Sequence, residues 1–124
     1  MAASNRLEVV EDVGYCRLSG NHGFQQSVKA IIEAITAARE QGLRSLLVDI
    51  VELRGFDAPG IAERHGMVRA WAEAAQGMLR VAMVAPPTFI DPEKFGVVAA
   101  ANFGLIGNVL RSEAEALAWL DEAK

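Results

Sequence analysis

The chain has 124 residues, 52% of them hydrophobic and 23% charged, which fits one globular domain with its own core and excludes a disordered tail. Twelve basic against sixteen acidic side chains leave a formal net charge of −4, so the basic footprint of a nucleic-acid binder is missing. No apolar run approaches the roughly 18 residues of a membrane span, Met1 to Leu7 lack a signal-peptide core, and one cysteine, Cys16, with His22 and His65 offers no metal-ligand spacing. The expectation is a single cytoplasmic domain over residues 1–124 without metal or cofactor.

Leu7 to Val10 is β-prone, Glu11-Asp12-Val13-Gly14 has turn chemistry, and Tyr15 to Ser19 follows with Cys16 and Leu18 on one face; together they predict an antiparallel hairpin. Val28, Ile31, Ile32 and Ile35 then recur at helical spacing, with Gly42 as the stop. Ser45 to Ile50 is a nearly continuous apolar run, the pattern of a central strand buried on both faces. Asp57 offers an N-cap and Pro59 a first-turn residue for a second helix from Ala58 to Gln76, ended by Gly77.

Arg80 to Ala85 reads as another buried strand, closed by Pro86-Pro87. Asp91-Pro92-Glu93 opens a third helix that turns Phe95, Val98 and Ala99 inward. Gly104 to Gly107 reads as a connecting loop, Asn108 to Arg111 as a short strand, and Ser112-Glu113-Ala114-Glu115 as a capping box starting a last helix through Trp119 and Leu120. The order β-β-α-β-α-β-α-β-α predicts an α/β (α+β) domain. Its mixed sheet has about five strands, an opening hairpin and about four helices.

Four local matches give this order a family resemblance. Arg17-Leu18-Ser19-Gly20 is similar to a second strand ending in leucine and glycine before the first helix, and Val48-Asp49 to a central strand ending in aspartate. Asp57-Ala58-Pro59-Gly60-Ile61 lies eight residues beyond Asp49, where a Asp-Ser-Ser-Gly-Leu segment would fall, and Asn108 to Leu120 is similar to a closing strand and alanine-tryptophan-leucine helix. Over nearly its whole length the chain thus resembles the STAS superfamily, in particular its SpoIIAA-like branch. In the bacterial antagonists of that family the segment presents a serine to a kinase, and phosphate switches anti-sigma-factor binding. Here the serine positions match Ala58 and Pro59, which cannot accept phosphate. The resemblance therefore implies a non-enzymatic regulatory or protein-interaction module without a serine switch, acting on a protein partner or as a homodimer. A further resemblance, of fold alone, to lipid-exchange domains of the CRAL-TRIO type implies the alternative: a small carrier or sensor holding an apolar or weakly acidic molecule between helices and sheet.

Candidate polar chemistry is sparse. Asp49, Glu52 and Asp57 would converge in a loop after the central strand as a cation site or acid-base pair, but a strand-end aspartate, a solvated glutamate and a cap account for them more simply. His65 shares a helix face with Ile61, Val68 and Ala72 and reads as a half-buried packing residue, His22 as an exposed turn residue, and Cys16 as core. No serine lies in a nucleophile elbow, and Gly104 to Gly107 lacks a phosphate-loop lysine.

The second helix carries one apolar stripe of Ile61, Val68, Ala72 and Ala75 and another of Met67, Trp71, Ala74 and Met78, wider than one sheet contact needs. Three covers for the second stripe are open: the third helix with Phe95 and Phe103, a second copy of the chain, or an apolar ligand. Arg54, Arg64 and Arg69 would rim this surface. The candidate ligand or partner surface is thus Arg54, Asp57, Arg64, His65, Met67, Trp71 and Met78, with no catalytic residue assigned.

Overall fold

The computed structural model describes residues 7–55, 60–86 and 104–122. Five strands, β1 (Glu8–Val10), β2 (Val13–Asn21), β3 (Ser45–Arg54), β4 (Arg80–Val84) and β5 (Ile106–Leu110), form one sheet in the order β1-β2-β3-β4-β5. The opening pair is antiparallel and the other three pairings are parallel, so the mixed sheet with its hairpin is as the sequence predicts. Three helices are described, α1 (Phe24–Glu40), α2 (Ile61–Ala75) and α3 (Glu113–Asp121). The expected helix opened by Asp91-Pro92-Glu93, with Phe95, Val98, Ala99 and Phe103, lies outside the described residues.

The strand β3 sits in the middle, and its alternation sorts the core. Leu46, Val48 and Ile50 face the layer of α1 and α2 together with Cys16, Leu18, Ile31, Ile35 and Val68. Leu47 faces the α3 side with Val13, Ala82, Val84, Ala116 and Leu120. A strand with helices on both faces must be apolar on both, which is why the run from Ser45 reads as continuous.

Several boundaries differ from the sequence reading for local reasons. The hairpin turn is only Glu11-Asp12, both left-handed (φ 49° and 73°), a geometry whose twist matches that of the strands. Val13 and Gly14 are therefore strand residues, and a β-carbon on Gly14 would press on Leu7, Leu43 and Leu46 at 3.1–3.3 Å. The strand β3 continues to Arg54 and takes Glu52 into its ladder opposite Ser19. Ile106 and Gly107 are in β5, not a loop, because the ladder pairs Arg80 with Ile106 and Val81 with Gly107. Helix α2 begins at Ile61 with Gly60 as N-cap, whose N–H donates to Glu63 Oε1 at 3.0 Å. The cap expected at Asp57 is thus supplied three residues later, and Asp57, Ala58 and Pro59 lie outside the described residues.

Candidate functional site

The proposed surface on the second helix divides when its residues are placed. Trp71 is 5% exposed, and its Nε1–H donates to the Val28 carbonyl of α1 at 3.2 Å. It packs in one cluster with Ile31, Ile35, Val68 and Ala72, while Met67 and Ala74 rest half-buried against that cluster. The surplus apolar width is real, but its cover is α1: a helix lying on both a sheet and a neighbouring helix needs two apolar stripes. Trp71 is therefore a core residue, not part of an exposed face.

Met78 lies beyond the helix, 60% exposed. Arg54 sits at the other end of the sheet, where its Nη1 donates to the Val51 and Leu53 carbonyls at 3.0 Å. Arg64 is half-buried, and His65 is exposed, not the half-buried packing residue expected, although it lies along the helix from Val68 and Ala72. Arg69 pairs with Glu73 one turn on, at 3.7 Å and largely in solvent, a contact worth little.

Glu52 is exposed, as the simpler reading of the acidic residues expects, but both it and Asp49 stand within β3, not in a loop or at the strand end, and Asp57 lies outside the described residues. Asp49 instead meets a partner that sequence reading assigned only to a helix cap. Its Oδ1 accepts the Val51 N–H at 3.0 Å, and its carboxyl group faces Glu113, the first residue of α3. Glu113 is gripped by Arg17 of β2 through both oxygens, Nε to Oε2 at 2.8 Å and Nη2 to Oε1 at 2.9 Å. Arg17 also reaches Glu8 at 3.1 Å and lies over the Tyr15 ring at 4.9 Å. Two-point arginine–carboxylate pairing fixes orientation as well as charge, so this cluster ties the start of α3 to the edge of the sheet. The clue in the sequence was alternation: Arg17 and Asp49 fall on the face opposite Cys16 and Val48.

The two carboxyl groups part in acidity. Burial, then hydrogen bonding to Glu113, pushes Asp49 above the ordinary aspartate range, whereas the Arg17 hydrogen bonds pull Glu113 down to about 2. A raised carboxyl favours the protonated folded state, so Asp49 costs stability as pH rises above its unfolded value. Glu113 contributes stability above its unfolded value, and this is lost as pH falls toward about 2. Asp49→Asn keeps the oxygen facing Val51 and offers an N–H to Glu113. It is expected to raise the melting temperature at neutral pH by a few degrees and to flatten the pH dependence above pH 4, read by thermal unfolding monitored by circular dichroism across pH 3–8. Equal melting temperatures throughout would contradict the assignment.

At the carboxyl edge of the sheet, the segments after β2 and β3 are locked together. The His22 N–H donates to Arg54 O at 2.8 Å, and its Nε2–H donates to Ser19 O at 3.0 Å. His22 is thus half-buried and tied down, not a free turn residue. Gly55 lies directly against it with φ +117°. Cys16 is 1% exposed, and burial pushes its thiol up to about 11, which keeps it un-ionised and inert at neutral pH. Among the described residues, no helix is long and apolar enough to cross a membrane.

No protein-family profile matches the chain, and no curated protein does. Among solved structures the chain is similar to the anti-sigma factor antagonist SpoIIAA in its unphosphorylated form. The identity is 23%, with 94% of this chain and 96% of that chain covered and a TM-score of 0.49.

Proposed function

We propose that this domain is a regulatory protein-interaction module without chemistry of its own, and that it docks a protein partner through the outward face of α2. The observation that carries the reading is Gly66. Ala62, Gly66, Arg69 and Glu73 recur along the exposed side of the helix, and a β-carbon at Gly66 would meet none of the described residues within 4 Å. A mid-helix glycine costs about 1 kcal/mol relative to alanine. Among the described residues neither packing nor backbone geometry requires it, whereas a partner approaching closely would. Ala58 and Pro59 support a module without a serine switch, since neither carries a hydroxyl.

Gly66→Ala is expected to stabilise the domain by about 1 kcal/mol in urea unfolding. The function is tested with a photo-crosslinking residue at the exposed Ala62 and, as control, at the exposed Glu40 of α1, in the producing cells. A discrete adduct from position 62 alone is the expected result. Gly66→Arg should abolish it while the protein remains folded. An adduct of twice the chain mass identifies a second copy as the partner. Identical adducts from both positions, or none from position 62, would overturn the reading.

A further inference from the structure

At the amino edge of the sheet, where the chain enters β3, β4 and β5, lies an open depression of about 610 Å³. Leu43, Met78 and Ile106 supply apolar wall, and Arg44, Arg80 and Asp12 supply charge. Met78 and Ile106 are 60% and 51% exposed, two of the four large hydrophobic residues standing exposed among the described residues. They open onto one concavity, which separates them from the scattered surface apolar residues any domain carries.

Arg80 gives this wall its specificity. Its guanidinium lies 4.1 Å over the Trp119 ring, and Nη2 donates to Trp119 O at 2.9 Å. Among the described residues its buried Nε has no hydrogen-bond partner, and no carboxylate forms an ion pair with it. The cation is thus held in place by stacking and left uncompensated, a preorganised counterion for an incoming anion. Two arginines against Asp12 leave one net positive charge, which suits a single carboxylate better than a doubly charged phosphate.

We infer that this depression binds an amphipathic monoanion, a medium-chain alkyl or aryl carboxylate, with its apolar part on Met78 and Ile106 and its carboxylate toward Arg80 and Arg44. The site stands at the opposite edge of the sheet from the start of α2 and does not depend on the proposed partner surface.

Octanoate is the probe, titrated as monomer into the full chain and followed by NMR. Saturable shifts are expected at the Met78 and Ile106 methyl groups and the Arg80 side-chain N–H, with a Kd of about 1 mM or tighter. Octan-1-ol and inorganic phosphate should each bind at least about tenfold more weakly. Met78→Glu, at an exposed position that spares the fold, should weaken octanoate about tenfold with an unchanged melting temperature. Absence of saturation, shifts centred elsewhere, octanol or phosphate binding as tightly as octanoate, or full binding by Met78→Glu would each overturn the site.

Discussion

Replacing Trp71 by alanine is expected to destabilise the domain by about 3–5 kcal/mol and to leave its association state unchanged. The indole is 5% exposed and fills the contact between α1 and α2, beside Ile31, Ile35, Val68 and Ala72. Removing it forfeits apolar burial, leaves a cavity that the two helices only partly close, and deletes the bond to the Val28 carbonyl. A domain of this size holds about 5–15 kcal/mol in total, so the variant should melt roughly 10–20 °C lower. Trp71→Phe keeps most of the ring and should cost far less, about 1–2 kcal/mol. Urea unfolding followed by circular dichroism measures both, and light scattering measures mass. A change in mass without loss of stability would return Trp71 to an intermolecular interface.

The contrast between Trp71 and Ile35 shows what the sequence makes legible. Val28, Ile31, Ile32 and Ile35 recur at helical spacing, so the helix is legible from its own sequence even though it packs on both the sheet and α2. The stripe containing Trp71 has the same composition whether its cover is a neighbouring helix or another molecule, and only the placement of α1 decides. The run Leu46-Leu47-Val48 is legible as a central strand because burial on both faces removes the polar alternation. Ser112 is legible as a cap because its job is local: its Oγ accepts the Glu115 N–H at 3.2 Å.

The cluster of Arg17, Asp49 and Glu113 escapes notice for the opposite reason. Arg17 and Glu113 are 96 residues apart in sequence, and their pairing depends on strand register and on which face α3 covers. Met78 and Arg80 likewise read as a helix tail and a strand start. They share a depression with Ile106 only because β4 and β5 begin at the same level of the sheet.

The second large effect is expected at Gly55. Its φ of +117° is unfavourable for any residue with a β-carbon, and that carbon would stand 2.4 Å from His22 O, 2.8 Å from His22 N and 2.9 Å from His22 C. These are backbone atoms, so no rotamer change relieves the overlap, and the two segments must part. Gly55→Ala should therefore cost the strain of the left-handed conformation and the bond from the His22 N–H to Arg54 O, together about 2–4 kcal/mol. Gly20→Ala separates the two contributions, because Gly20 also has a positive φ, +87°, but none of the described residues within 4 Å of its added carbon. That variant should lose only about 1–2 kcal/mol. Hydrogen exchange places the damage: the His22 amide should become fast in Gly55→Ala and stay protected in Gly20→Ala. Since the segment released by Gly55 leads into the start of α2, the adduct from position 62 should weaken with it, whereas octanoate binding at the amino edge should persist. Equal costs for the two glycine variants would mean that the contact with His22 is not what holds this edge together.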